Sequence, residues 1–190
     1  MHYCQGMSIK ESLQKTKQNI SRSAEISERA ATDICLVAVC KKKPVVTIEE
    51  AIELGQRDFA ENYVQEWLEK YNALEGRDLK WHFVGHIQSN KVKEVVGRAH
   101  LIHTVDSLKL AKSINRVAEQ KGIVQRCLIQ VNISEEPQKS GVLPDDCLSF
   151  IKELNAFEHI DVMGLMMIGT YTQDYNCLLY TSPSPRDKTV

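Results

Sequence analysis

One pattern recurs along most of this sequence: a short apolar run that is typical of a strand, followed by a stretch with helical spacing of apolar residues. The first run, residues 34–40, is continuously apolar, as expected for a strand that is covered on both faces. The later runs are residues 57–61, 81–85, 101–105, 127–133 and 161–168. Because parallel neighbouring strands need crossover helices, these repeated units predict a parallel α/β sheet.

Two parallel architectures compete for this pattern, an open doubly wound sheet and a (β/α)8 barrel of the TIM type. No GxGxxG motif follows the first apolar run, and its absence weakens the case for a dinucleotide-binding sheet. A complete barrel has eight units and about 200 residues or more, whereas this chain has 190 residues. The pattern therefore favours a barrel that is truncated after about six β/α units.

The pattern predicts three segments along the chain. The barrel domain covers residues 7–172, and residues 1–6 are expected to be an upstream extension. Residues 173–190 have no apolar period, and Pro183 and Pro185 in that segment disfavour both helix and central strand. We expect this segment to be a non-native or disordered tail.

Composition excludes several classes of protein. The 24 basic and 25 acidic side chains give a formal net charge of −1, which argues against a nucleic-acid-binding protein. No uncharged apolar stretch approaches the ~20 residues of a membrane-spanning helix. The six cysteines contain no CxxC pair, so we expect a reducing, cytoplasmic compartment without disulfides. Cys35, Cys40 and Cys127 lie within apolar runs, which predicts that they are buried.

Lys41 is the first polar residue after the first apolar run. In barrel enzymes the carboxyl ends of the strands hold the active site. Partial burial, together with the neighbouring positive charges of Lys42 and Lys43, would favour the uncharged amine, which can attack an aldehyde. The alternative for three lysines before Pro44 is a solvated turn without chemistry.

Other polar residues follow the next apolar runs. Asn62 follows the second run, where it is expected to cap the next helix, to contact a ligand, or both. His82 and His86 flank the end of the third run, and their i, i+4 spacing favours a metal only on a helix, so no metal site is predicted. The methionines between Met163 and Met167 are expected to fill the core.

Five blocks of this sequence resemble the pyridoxal phosphate homeostasis protein family, in order and at the family's spacing. They are residues 37–44, 55–66, 81–91, 130–141 and 163–166. The resemblance implies a barrel of the alanine racemase N-terminal type that holds pyridoxal 5′-phosphate as a Schiff base on Lys41. It also implies rim positions for Asn62 and His86, with Met166 near the cofactor ring. The chain departs from the family at Cys40, where serine is usual, and it lacks the two further strands that grip the cofactor phosphate.

The resemblance implies a cofactor carrier without turnover of its own, whose partners are pyridoxal phosphate and the apo-enzymes that depend on it. Neither nucleic acid nor membrane is expected as a partner. The alternative is a racemase-like enzyme of the same fold, which needs an acid/base group on each face of the substrate carbon. A third possibility, an interaction protein that has lost the cofactor, conflicts with Lys41 in its matched context.

Overall fold

The computed structural model describes residues 7–136 and 139–168. Six strands and six α-helices alternate within this part of the chain. Their bounds are α1 Ile9–Ile26, β1 Ala38–Val39, α2 Val45–Glu53, β2 Asp58–Glu61, α3 Val64–Ala73, β3 Lys80–Phe83, α4 Val92–Val95, β4 Leu101–Val105, α5 Leu108–Gln120, β5 Gln125–Val131, α6 Cys147–Leu154 and β6 Ile160–Met167.

The strands form one sheet in chain order, from β1 to β6. The pairs β1–β2, β4–β5 and β5–β6 are all parallel. This confirms the predicted parallel α/β class. The sheet has six of the eight strands that a complete barrel contains. The chain divides into two compact units, residues 1–82 and residues 83–190.

In the first unit, capping motifs mark the start of α1 and the end of α2. Ser8 begins α1 with a capping box, in which Ser8 Oγ accepts from the Glu11 N–H while the Glu11 carboxylate accepts from the Ser8 N–H. Gly55 ends α2 at a φ of 84°. The Gly55 N–H donates to the Ile52 carbonyl at 2.9 Å and the Gln56 N–H to Ala51 at 3.0 Å, which is a Schellman motif.

The first strand is much shorter than the predicted run of residues 34–40. Only Ala38 and Val39 pair with β2, because the side chain of the buried Gln56 donates to the Leu36 carbonyl at 2.7 Å and takes the place of a strand neighbour there. Cys35 is exposed, so the prediction that it is buried was wrong, whereas Cys40 and Cys127 are buried as predicted.

Aromatic side chains form much of the core of the first unit. The rings of Phe59 on β2 and Trp81 on β3 lie 6.1 Å apart. Tyr71 on α3 lies 6.5 Å from Trp81 and 5.6 Å from Trp67. Phe59 and Trp67 are almost completely buried. This packing fixes α3 against the strands that carry the candidate site.

The second unit has longer strands and a strongly amphipathic helix. Ser107 caps α5 by accepting from the Leu110 N–H, and Gly122 follows the helix at a φ of 64°. Ile114 of α5, Ile102 of β4 and Ile129 of β5 are completely buried. The regular apolar spacing of this region therefore corresponds directly to a packed layer.

The expected core role of the methionines between Met163 and Met167 is wrong for two of them. Met163 is 54% exposed and Met167 is 47% exposed on β6, because β6 is the last strand of the described sheet. Alternate residues of a strand share a face, and nothing among residues 7–136 and 139–168 covers this one. Met166, on the other face, is half-buried.

The predictions for residues 1–6 and 173–190 concern segments that lie outside the described residues.

Among the described residues, no helix is both long enough and apolar enough to cross a membrane.

Candidate functional site

The parallel pairing of β1 with β2 places Lys41 and Asn62 at matching positions. Ala38 pairs with Phe59 and Val39 with Ala60. Continuing this register by two residues beyond the Val39–Ala60 pair aligns Lys41 with Asn62. The Cys40 N–H still donates to the Ala60 carbonyl at 2.9 Å, so the alignment holds up to the residue before Lys41.

Lys41 lies at the start of a tight turn with its side chain exposed. The Lys43 N–H donates to the Cys40 carbonyl at 3.0 Å, and Lys42 has a left-handed φ of 58°. The prediction that Lys41 is partly buried was therefore wrong. Burial ends at Cys40, because the chain turns there and Lys41 lies in the turn. Among the described residues, the Lys41 amine has no hydrogen-bond or ion-pair partner.

A buried charge cluster lies beneath this turn. The Lys70 ammonium on α3 donates to the Cys40 carbonyl at 2.6 Å and to Glu66 Oε1 at 2.8 Å, and it makes a short contact with Glu61 Oε1. Glu61 is completely buried and Lys70 is 4% exposed. The same Glu66 Oε1 accepts from the Lys42 N–H at 2.6 Å. We call Lys70, Glu61 and Glu66 the charge cluster.

Two members of the cluster, Lys70 and Glu66, have pKa values that favour their charged forms. Burial by itself lowers the pKa of Lys70, but the hydrogen bonds to Glu61 and Glu66 outweigh it, so the pKa of Lys70 is raised. The hydrogen bond from Lys70 holds the pKa of Glu66 below its usual range. Sequence reasoning missed Lys70 and Glu66. Their i, i+4 spacing indicates an ion pair, but it gives no sign that the pair underlies Lys41.

The thiol of Cys40 is directed towards β2. Cys40 Sγ donates to the Ala60 carbonyl at 3.2 Å and lies 3.8 Å from Glu61 Oε1. Burial, reinforced by the Glu61 carboxylate, raises the pKa of Cys40 to about 12. The thiol therefore stays protonated at neutral pH and is a poor nucleophile.

Asn62 does not cap the helix that follows it. The N-cap of α3 is Tyr63, which makes no side-chain capping bond, so the capping interpretation was wrong. The Asn62 N–H donates to Glu61 Oε2 at 3.0 Å. Its side-chain oxygen Oδ1 is buried and has no hydrogen-bond partner among the residues that the structure describes. Such an atom is rare in native proteins and calls for a partner.

In the second unit, His86 follows β3 on a segment that is tied to β4. The Gly85 carbonyl accepts from Thr104 Oγ1 at 2.6 Å, and His86 Nδ1 lies 3.9 Å from Asp106 Oδ2. The His86 side chain is exposed. No group of three or more His, Cys, Asp or Glu side chains is arranged for a metal ion in residues 7–136 and 139–168.

Met166 lies on β6 beside Gln130 of β5. The Gln130 side chain donates to the Ser140 carbonyl at 2.8 Å, and Asn132 Nδ2 donates to the Glu136 and Lys139 carbonyls at 2.9 and 3.2 Å. These bonds connect the end of β5 to Glu136, Lys139 and Ser140 in the segment that follows it. A cavity of about 300 Å³ lies there, lined by Gln130, Val131, Asn132, Lys139, Ser140 and Ile168.

Comparisons with known proteins agree with this fold. Residues 12–177 match the family model described as alanine racemase, N-terminal domain. A pyridoxal phosphate homeostasis protein from Pasteurella multocida is 38% identical over 170 residues, which are 88% of this chain and 73% of the relative. The protein of that name from Aquifex aeolicus is 36% identical over 168 residues, 88% of this chain and 74% of the relative.

Solved structures show the same fold. PipY from Synechococcus elongatus PCC7942, in a structure described as having PLP bound, superimposes with a TM-score of 0.68 at 32% identity, covering 80% of this chain and 71% of PipY. Alanine racemase from Clostridium difficile 630 has a TM-score of 0.64 at 19% identity, covering 82% of this chain and 40% of the racemase, which supports the barrel-type fold alone. The chain therefore belongs to the pyridoxal phosphate homeostasis protein family, built on the alanine racemase N-terminal domain.

Proposed function

We propose that this chain binds pyridoxal 5′-phosphate through Lys41 and acts in the homeostasis of that cofactor. The observation that carries the proposal is the exposed, unpartnered Lys41 amine at a strand end. The names of the relatives and the PLP bound to PipY support the same ligand. Bound pyridoxal phosphate supplies an aldehyde that reacts reversibly with amines and a ring that withdraws electrons.

The residues beside Lys41 fit that ligand. Asn62 Oδ1, on the residue directly after β2, is a buried acceptor that needs a donor. The Cys40 thiol is protonated at neutral pH, so it does not compete with the Lys41 amine for an aldehyde. The turn leaves Lys41 accessible from solvent, which suits exchange of a ligand more than its retention.

Further residues belong to the same proposal. We place His86 and Met166 at the cofactor site, because each lies near the carboxyl end of its strand region, the end at which barrel proteins bind ligands. Residues 7–172 are proposed as the binding domain. Delivery to pyridoxal phosphate-dependent apo-enzymes and a cytoplasmic location complete the proposal. The free thiols of the described cysteines, Cys35, Cys40, Cys127 and Cys147, support the location.

An arginine scan of the lysine turn tests the ligand and its attachment point. The chain is incubated with pyridoxal phosphate, its visible absorbance is recorded, and the adduct is fixed with borohydride and mapped by mass spectrometry. We expect the label on Lys41, and its loss in Lys41→Arg. The matched controls Lys42→Arg and Lys43→Arg keep the same charge and should keep the label. A label on another lysine in the wild-type chain would refute the assignment.

A turnover assay separates the carrier from the racemase-like alternative. The chain loaded with pyridoxal phosphate is mixed with a panel of single-enantiomer amino acids, and the appearance of the opposite enantiomer is followed. We expect none above the rate of free pyridoxal phosphate, because racemisation needs a positioned acid/base on both faces of the substrate carbon. Sustained racemisation that is lost in Lys41→Arg would replace the carrier with an enzyme.

A further inference from the structure

The charge cluster holds the backbone on both sides of Lys41. On the amino-terminal side, the Cys40 carbonyl accepts from Lys70 Nζ at 2.6 Å. On the carboxyl-terminal side, the Lys42 N–H donates to Glu66 Oε1 at 2.6 Å. Glu66 is itself bonded to Lys70 at 2.8 Å. One ammonium therefore connects the two peptide groups that flank Lys41.

The backbone at this point needs such support. Lys42 has a φ of 58° although it is not glycine, and side chains with a Cβ occupy that region only when the surroundings impose it. The hydrogen bond from the Lys42 N–H to Glu66 is a contact of the described residues that imposes it. Loss of that bond would leave the turn with the hydrogen bond from the Lys43 N–H to the Cys40 carbonyl but without a restraint at Lys42 itself.

The composition of the cluster explains why a lysine stands at position 70. The Glu61 side chain is completely buried and Glu66 is one-quarter exposed, so two carboxylates lie close together away from bulk water. A cation between two such carboxylates offsets their mutual repulsion. Lys70 supplies this cation. It also donates a hydrogen bond to the Cys40 carbonyl, and an apolar residue at position 70 could do neither.

We infer that Lys70 is a positioning residue for Lys41: through the Cys40 carbonyl and through Glu66 it fixes the turn from which the Lys41 amine reaches its ligand. This inference rests on the proposed function, because the effect on ligand attachment requires Lys41 to be the attachment point. Lys70 itself touches no ligand, since it is buried beneath the turn.

The test uses Lys70→Met and Glu66→Ala, with Glu69→Ala as the control. Met removes the charge and keeps much of the length of the side chain. Glu66→Ala leaves the buried Lys70–Glu61 pair intact, so it provides a folded variant if Lys70→Met fails to fold. Glu69 is an exposed carboxylate on the same helix, and its removal changes the helix charge without changing the turn. Circular dichroism and thermal unfolding establish which variants are folded.

The first measurement needs no cofactor. Amide hydrogen exchange at Lys42 should be slow in the wild-type chain and in Glu69→Ala, and at least about tenfold faster in Lys70→Met and Glu66→Ala, because each removes a hydrogen bond to a charged group or its support. Unchanged exchange at Lys42 in both folded variants would overturn the inference, whatever the outcome with pyridoxal phosphate.

The second measurement is titration with pyridoxal phosphate at several pH values, followed by borohydride mapping. We expect attachment about tenfold weaker in the two variants and a shifted pH dependence, with the trapped label still on Lys41. Equal attachment and an unchanged pH profile, despite faster exchange at Lys42, would show that the cluster is merely structural. If the wild-type chain carries no label on Lys41, the proposed function fails, and the exchange data still show whether Lys70 fixes the turn.

Discussion

Cys35 and Cys40 differ in reactivity because they differ in exposure. Burial raises the pKa of Cys40 and of Cys127 to about 12. Cys35 as a whole residue is exposed. Partial burial of its thiol, together with the nearby Asp58, also raises the pKa of Cys35. With iodoacetamide at neutral pH, we expect Cys35 to be modified well before the other two. Peptide mass spectrometry over time measures the order, and equal rates for Cys35 and Cys40 would contradict it.

Replacing Cys40 by serine should leave ligand attachment unchanged. The serine hydroxyl can donate to the Ala60 carbonyl as Cys40 Sγ does at 3.2 Å, and a protonated thiol takes no part in the capture of an aldehyde. Cys40→Ser should therefore match the wild-type chain in pyridoxal phosphate titration. Cys40→Leu, which removes the donor and enlarges the side chain, should reduce thermal stability. Weaker attachment in Cys40→Ser would assign the thiol a direct role.

Single residues differ in how far the sequence alone could place them. Lys41 and Asn62 could be placed because each follows a strand-like run, and parallel pairing of the runs aligns them. Lys70 could not, because its importance comes from burial beneath a turn that is distant in the sequence. The exposure of Lys41 could not be predicted either, since an apolar run shows where a strand lies and not where its burial ends.

The loop between β5 and α6 depends on Gly141 for close approach of two backbone segments. Gly141 has a φ of 135°, and a Cβ there would lie 2.5 Å from the Asn132 backbone nitrogen. Gly55, at a φ of 84°, has open space around it. Gly55→Ala should cost about 1 kcal/mol of unfolding free energy from the backbone alone, and Gly141→Ala about 3 kcal/mol because backbone atoms must also move. Urea unfolding of both variants measures the difference, and equal losses would rule out the close approach.

Strands β2 and β3 carry a pH-sensitive pair. His82 Nε2 lies 3.2 Å from Asp58 Oδ1, and burial lowers the pKa of His82 below the ordinary value of 6.5 despite that carboxylate. Below 6.5 the unfolded chain binds the proton more readily than the folded one. The contribution of neutral His82 to the free energy of unfolding is therefore fully present above pH 6.5. It is lost as the pH falls towards the pKa of His82 in the folded chain, by up to about 1.4 kcal/mol per pH unit.

The matched variant for this pair is His82→Gln, which keeps a hydrogen-bond donor near Asp58 but does not titrate. Urea unfolding at neutral and mildly acidic pH should give a smaller loss of stability on acidification in the variant than in the wild-type chain. A larger loss in the variant would mean that protonated His82 stabilises the fold, and would reverse the assigned direction of the shift.

Regular elements were the most predictable part of the fold. The strand at residues 101–105 and the capped helix after it occur where the periodicity places them, because burial of that helix follows one regular face. The predicted strand at residues 34–40 is reduced to Ala38–Val39, since the Gln56 side chain occupies the Leu36 carbonyl. That bond joins residues twenty positions apart, which no local pattern encodes.

At the scale of the whole molecule, a row of exposed apolar side chains lies along β6, the last strand of the described sheet. Met163, Leu165 and Met167 alternate along β6 and are each about half exposed, and Ile168 follows them. Unpaired strands with apolar faces associate with other chains. After a register shift between Cys127 and Leu128, β6 pairs with β5 without interruption from Gly164 to Met167, and this regular part provides a template for such pairing.

We therefore expect self-association that depends on protein concentration, and expect Leu165→Lys to weaken it by placing a charge in the middle of the exposed face. Leu148→Lys is the control, because Leu148 is an isolated apolar residue on α6 that is 73% exposed. Both substitutions are on the surface and should change stability by about 0.5 kcal/mol or less. Sedimentation velocity over a range of concentrations distinguishes them. If Leu148→Lys suppresses association as strongly as Leu165→Lys, the effect is one of net charge, and the β6 face is not the contact.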